Sequence, residues 1–243
     1  MKTKICALAG AAALSLMAFA PAAEAKDELT YALTLQATSD YMFRGLSYTE
    51  GQPALQAYGE VNYNIFYAAF WASRTDYLDV YGPWEFDVFL GARPTTGPIN
   101  WDVGVWYYMF GSQDAFLDTG DLAYFEFKLG ASFNPVDNVT LGVIGYYTPD
   151  QDLAVAETKT IEGSVSINLP KVGIFDPVLG GVLGWSGADT NGFFLGKKEY
   201  TYWNAGMKLN VEKFFMDFRY WDTTIDSSLA DSRFVFSVGV NLP

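Results

Sequence analysis

Histidine is absent from all 243 residues. A hydrolase built on a Ser-His or Asp-His pair therefore has no general base here. Cysteine occurs once, as Cys6, so the rest of the chain has no disulfide with which to staple a small core. Without imidazole or thiolate, zinc and most transition-metal sites lose their best ligands. Positive charge is also scarce, with 15 Lys and Arg against 28 Asp and Glu. Such a balance excludes nucleic acid as a partner, because phosphate contacts need cations. Beyond the first 25 residues no stretch reaches the roughly 18 apolar residues of a membrane-spanning helix.

Those first residues form a segment of their own. Lys2 and Lys4 precede an apolar run from Ile5 to Ala20, and Ala23-Glu24-Ala25 is a small-x-small triplet. This is the pattern of a cleaved export signal over 1–25, with an uncleaved anchor as the alternative. Cleavage removes Lys2, Lys4 and Glu24. The mature chain, 26–243, then holds 13 basic and 27 acidic residues, a formal charge of −14 over 218 residues.

What is abundant is aromatic: 19 Phe, 16 Tyr and 7 Trp, 17% of the chain. Twelve segments alternate with period two, the signature of strands with one apolar face. The clearest sets Phe125, Phe127, Leu129, Ala131 and Phe133 against Tyr124, Glu126, Lys128 and Ser132. The segment from Phe66 to Ala72 is apolar on both faces, and the glycine-rich one from Val178 to Trp185 is ambiguous. Connections near Asn64, Thr96, Pro135, Lys171 and Val211 are tight. Those near Tyr48, Asp79, Asp114, Asp152, Asn191 and Asp226 are longer and acidic. A transmembrane barrel alternates its connections in this way, with short turns at one rim and long loops at the other.

Charge placement supports the same fold. Glu60, Glu85, Asp87, Arg93, Asp102, Glu126, Lys128, Glu162, Lys208, Asp217, Arg219 and Arg233 all lie on the parity opposite the apolar set. On a lipid face at mid-bilayer an Arg or Lys costs about 2–4 kcal/mol, so charges belong in the lumen. The expectation is an all-β, antiparallel transmembrane β-barrel of about 12 strands in the outer membrane, with short periplasmic turns and acidic extracellular loops. A soluble β-sandwich is the alternative, since it too alternates. Aromatics at the upper strand ends (Tyr41, Phe43, Trp71, Trp106, Tyr107, Tyr108, Tyr146, Tyr147, Trp185, Tyr202, Tyr220 and Trp221) read as an interfacial girdle. Tyr63, Phe66, Phe133 and Phe214 read as the lower one.

Chemistry has few candidates. Glu85 and Asp87 share one face two residues apart and could serve as an acid–base pair, or as lumen charges balanced by Arg93, Lys128 or Arg219. Asp102 and Glu126 invite the same two readings. Gly180, Gly181, Gly184 and Gly187 match no phosphate-binding loop, so no cofactor is expected. Thirteen acidic residues across the long loops face only Arg44, Arg74, Lys197 and Lys198. A negative mouth concentrates cations. Asp114, Asp118 and Asp121, or Asp150 with Asp152, offer oxygen ligands for Ca²⁺ without the spacing of a known calcium loop, and no metal site is assigned.

Ser39-Asp40-Tyr41-Met42-Phe43-Arg44-Gly45-Leu46-Ser47, followed by Pro53-Ala54-Leu55-Gln56, resembles the opening signature of a Gram-negative family of exported proteins, the TorF-type porins (Gcw_chp domain). Trp71-Ala72-Ser73, Glu85-Phe86-Asp87 and Trp106-Tyr107-Tyr108 resemble it too. The resemblance implies an outer-membrane barrel with a channel role, no catalytic residues, and the barrel-assembly machinery and membrane lipid as partners. The residue-level expectation agrees: a narrow pore for small hydrophilic solutes or ions, weakly cation-preferring, with the eleven strand charges from Glu60 to Arg219 as selectivity candidates. A plugged structural or adhesion barrel acting through its loops is the alternative.

Overall fold

The structure is a computed structural model that describes residues 29–75, 83–111, 123–151 and 156–242. Twelve long strands follow one another: β1 (Thr30–Thr38), β2 (Ala54–Tyr63), β3 (Phe66–Arg74), β4 (Trp84–Ala92), β5 (Ile99–Gly111), β6 (Ala123–Val136), β7 (Val139–Thr148), β8 (Thr158–Asn168), β9 (Asp176–Ala188), β10 (Glu199–Val211), β11 (Phe214–Thr223) and β12 (Arg233–Leu242). Each pairs antiparallel with its chain neighbour. β12 returns to β1, pairing Leu33 with Leu242 and Thr38 with Ser237, so the sheet closes and has no edge. Strands of 9 to 14 residues match the length that a tilted strand needs to cross a bilayer. The expected all-β barrel and its strand number both stand.

Closure is possible because the two rims are built differently. At one rim two-residue turns join paired strand ends, as in Tyr63 with Phe66 and Val211 with Phe214. Asn64 and Glu212 take φ of 55° and 52° there, the left-handed conformation that suits the twist of tight hairpins. The opposite rim carries all the long connections.

The pleat sorts the side chains. Leu55, Leu90, Phe127, Leu129, Leu183 and Phe234 face outward and are exposed, forming an apolar belt for lipid. Tyr63, Phe66, Phe133 and Phe214 are exposed near the short-turn rim, where the lower girdle was expected. The two ambiguous strands resolve. β3 turns Phe66 and Phe70 out and Tyr67 and Trp71 in, while β9 turns Leu179, Leu183 and Trp185 out and Val182 and Ser186 in.

The upper girdle needs correction. Tyr107, Tyr147, Trp185 and Tyr220 do lie on the outer face, but Tyr41, Phe43, Trp71, Trp106, Tyr108, Tyr146, Tyr202 and Trp221 are buried inside. Most of them join Leu46, Tyr48, Phe89, Phe110 and Ile144 in one apolar cluster that fills the lumen beneath the long-connection rim. Rings there make edge and tilted contacts, such as Phe89 with Trp106 at 4.7 Å and Tyr41 with Trp71 at 5.9 Å. Toward the short-turn rim the inward positions of β7 to β10 and β12 include small or polar, half-buried residues, among them Gly142, Ser164, Ser166, Gly180, Gly206 and Asn241, while Tyr67, Arg93, Asp102, Lys208 and Phe215 are buried at the same end. The lumen is thus packed with aromatic rings beneath the long-connection rim, and toward the short-turn rim it holds buried charges with one sector of wall lined by small residues.

Candidate functional site

The packed half exists because the first long connection folds inward. Met42–Phe43 pairs with Leu46–Ser47 to make a short hairpin with Arg44 and Gly45 at its tip. Both tip residues have positive φ, 50° and 83°, as a two-residue turn of this hand demands. Glycine at position 45 is required twice. A Cβ there would lie 2.7 Å from the Cβ of Tyr202 on β10, so the tip lies hard against the far wall. The motif Ser39 to Ser47 is therefore a plug, and its residues have separate tasks.

Asp40 holds the base. One of its oxygens accepts from Ser47 Oγ at 2.6 Å and Thr49 Oγ1 at 2.8 Å, and the other accepts from Arg233 at 2.7 Å. Ser39 exchanges bonds with Phe236 of β12. Tyr41 receives Tyr48 N–H on its carbonyl and donates its own N–H to Thr49. The last long connection covers the hairpin from above, with Ser47 N–H donating to Leu229 O.

Arg44 holds the tip. Its guanidinium donates to both oxygens of Glu126, at 2.6 and 2.9 Å, and lies 4.4 Å from the ring centre of Tyr146. Tyr200 donates its hydroxyl to the Arg44 carbonyl at 3.0 Å. Burial works against the charge on Arg44, but the Glu126 carboxylate outweighs it and holds the guanidinium above its ordinary range. A paired, forked contact of this kind is the strong form of ion pair.

All eleven strand charges named from the sequence face the lumen and are buried. They do not stand free in solvent as expected. Arg93 forks onto Glu60 at 2.7 and 2.8 Å, reaches Asp102 at 3.3 Å, and lies 3.9 Å above the Tyr67 ring. Lys128 donates to the same Asp102 at 2.8 Å. This four-charge network ties β2, β5 and β6 together through Arg93, which follows β4. Arg219 pairs with Asp217 on its own strand and with Asn204. Lys208 sits opposite Asp217 in register and 4.0 Å from the Phe215 ring. Asp102 and Glu126, weighed together in the sequence, are separated by their partners.

Glu85 and Asp87 are the exceptions. The expected balance by Arg93, Lys128 or Arg219 does not occur, because those cations are engaged elsewhere. Oε2 of Glu85 and both carboxylate oxygens of Asp87 are buried without a hydrogen-bond partner. Every Lys and Arg after residue 28 belongs to the described residues, and none of them pairs with either acid. Glu162 accepts from Tyr202 at 2.5 Å, with Oε2 unpartnered. Among the described residues the barrel wall thus buries seven acids against four bases in the lumen, to which the first long connection adds Asp40 and the half-buried Arg44.

Of the loop acids, Asp76, Asp79, Asp114, Asp118, Asp121 and Asp152 lie outside the described residues, as does 1–25, where an export signal was expected. Among the described residues no cluster of three or more metal-ligating side chains forms. Arg44 was placed at the outer rim by sequence and is instead turned into the lumen, paired with Glu126. The available signal was local: Arg-Gly between two apolar residues is a tight-turn pattern.

A closed twelve-stranded antiparallel barrel with an outward apolar belt and a charged interior is similar in fold to solved outer-membrane porins. The chain belongs to the family described as "Bacterial protein of unknown function (Gcw_chp)", whose model matches residues 22–241. That description carries no function. Among solved structures the barrel is similar to the KdgM porin, with a TM-score of 0.58 at 8% identity over 87% of this chain and 98% of that one. It is similar to the NanC porin at 0.57 and 11%, over 87% and 99%. LpxR from Salmonella typhimurium gives 0.53 and 9%, over 86% and 99%. No curated protein sequence matches the chain.

Proposed function

We propose that this protein is an outer-membrane, porin-like channel for passive diffusion of small hydrophilic solutes or ions, held shut by its inward hairpin. The observation that carries the reading is how the plug is held. A sector of wall lined by Gly, Ser and Asn leads toward a hairpin attached by polar and ionic bonds. The short-turn rim with both chain ends is periplasmic in this reading, and the long connections face outward. The excess of acid in the lumen makes the opened path cation-leaning. KdgM is known in complex with oligogalacturonate, a polyanion. The interior here suits the opposite charge.

Planar-bilayer conductance of the detergent-folded protein under a salt gradient tests this. Rare steps from wild type and frequent, cation-leaning steps from a variant carrying Arg44→Ala are expected. Silence from both, with folding shown separately, would sink the channel and favour the second reading. That reading is a permanently plugged barrel acting through its surface loops, and the tight aromatic packing under the rim speaks for it.

A further inference from the structure

Arg44 is the single basic residue of the hairpin connection between β1 and β2. Apart from the ring of its neighbour Phe43, 4.7 Å away, the groups that receive its head group belong to the barrel wall. Glu126 is oriented independently of the arginine, because Tyr108 donates to one oxygen at 3.1 Å and Thr148 donates to the other at 3.1 Å. The two oxygens so placed accept two parallel N–H groups. Tyr146 supplies a ring beneath the planar cation. Glu162 lies within electrostatic range, its Oε1 held by Tyr202 and its Oε2 buried without a partner. A fixed carboxylate fork, an aromatic floor and a second acid fit a planar, delocalised guanidinium better than a compact ammonium.

We propose that Glu126, Glu162, Tyr108, Tyr146, Thr148 and Tyr202 form a guanidinium-binding site in the lumen wall, occupied by the protein's own Arg44 in the closed state. Solutes that carry a guanidinium group compete with Arg44 for it. The hairpin is then a tethered ligand, and the solute that displaces it also opens the way. The competition with passage rests on the channel reading; the binding site itself does not.

The test uses the full-length mature barrel in detergent and methylguanidinium as probe. With Arg44→Ala the pocket is vacated, and millimolar methylguanidinium should raise the thermal unfolding midpoint. Methylammonium should act more weakly. Adding Glu126→Gln to the same variant should weaken the response by about 10- to 100-fold, the loss expected for a charged, forked hydrogen-bond pair. Wild type should barely respond, its site being full. Arg44→Lys, which keeps the charge and a seated hairpin, should respond at higher probe concentration than Arg44→Ala. Equal responses with and without Glu126, or no response from either Arg44 variant, would overturn the site. Since the readout is stability, a silent channel and an absent site remain distinguishable.

Discussion

Arg233, the first residue of the last strand, donates to Asp40, 193 positions earlier, at 2.7 Å. This one contact fastens the base of the plug to the strand that closes the barrel, and the same carboxylate gathers Ser47 and Thr49. Asp40→Ala should leave Arg233 and both hydroxyls without their acceptor. Arg233 is partly exposed and keeps the carbonyls of Ser228 and Asp231, so we expect a loss of about 1–3 kcal/mol, the range for removing the acceptor of buried donors. Reversible unfolding of the detergent-folded protein measures it. A change below about 0.5 kcal/mol would show that the hairpin does not depend on this anchor.

Gly45→Ala confronts both of that residue's constraints, a φ of 83° and a wall 2.7 Å away. The left-handed conformation alone costs about 1–2 kcal/mol for a residue with a Cβ. The tip should back away from Tyr202 while the barrel stays intact. Hydrogen exchange should rise over residues 39–53 and remain unchanged in β6 to β10. Unaltered protection of the hairpin would contradict the docking.

The two kinds of buried acid should respond in opposite ways. Asp102→Asn strands Lys128, while Arg93 keeps its fork on Glu60, and should cost about 3 kcal/mol. Glu85→Gln combined with Asp87→Asn removes two carboxylates that no cation compensates, and stability should hold or rise. In an Arg44→Ala background the double change should also move the reversal potential toward zero. An unchanged potential would remove these two acids from the conduction path.

On the lipid face, depth should set the cost of charge. Leu129→Arg, mid-strand in β6, should cost about 2–4 kcal/mol, and Val136→Arg at the short-turn end about 0–1. Folding yields into bilayers give the comparison. Equal costs would mean that the belt is not centred on the membrane.

The barrel was legible because period two is unforgiving: a strand that places Glu126 and Lys128 inward must place Phe125 and Phe127 outward, and lipid enforces the rule. β3 escaped it, since Tyr67, Ala69 and Trp71 are as apolar as Phe66, Ala68 and Phe70. The plug escaped it for a related reason. Tyr and Trp serve equally at a membrane interface and in a packed lumen, so Trp106 or Tyr202 carries no mark of its side. Which cation meets which acid was also hidden. Arg44 reaches Glu126 across 82 positions, and Arg93 chooses Glu60 over Asp87 because of strand register and not sequence distance. The Arg44-Gly45 pair suits a tight turn, but that the turn forms a hairpin pointing into the barrel is a tertiary fact.

The packed lumen also bears on where an applied voltage would act. In the proposed channel a share of the transmembrane drop falls across the packed layer that contains Arg44. One elementary charge crossing the full drop gains or loses about 2.3 kcal/mol at 100 mV, comparable to the bonds that seat the hairpin. Withdrawal of the tip carries that charge toward the long-connection rim. A field that is negative on that side pulls the hairpin out, and the reverse field presses it home. The barrel should therefore rectify.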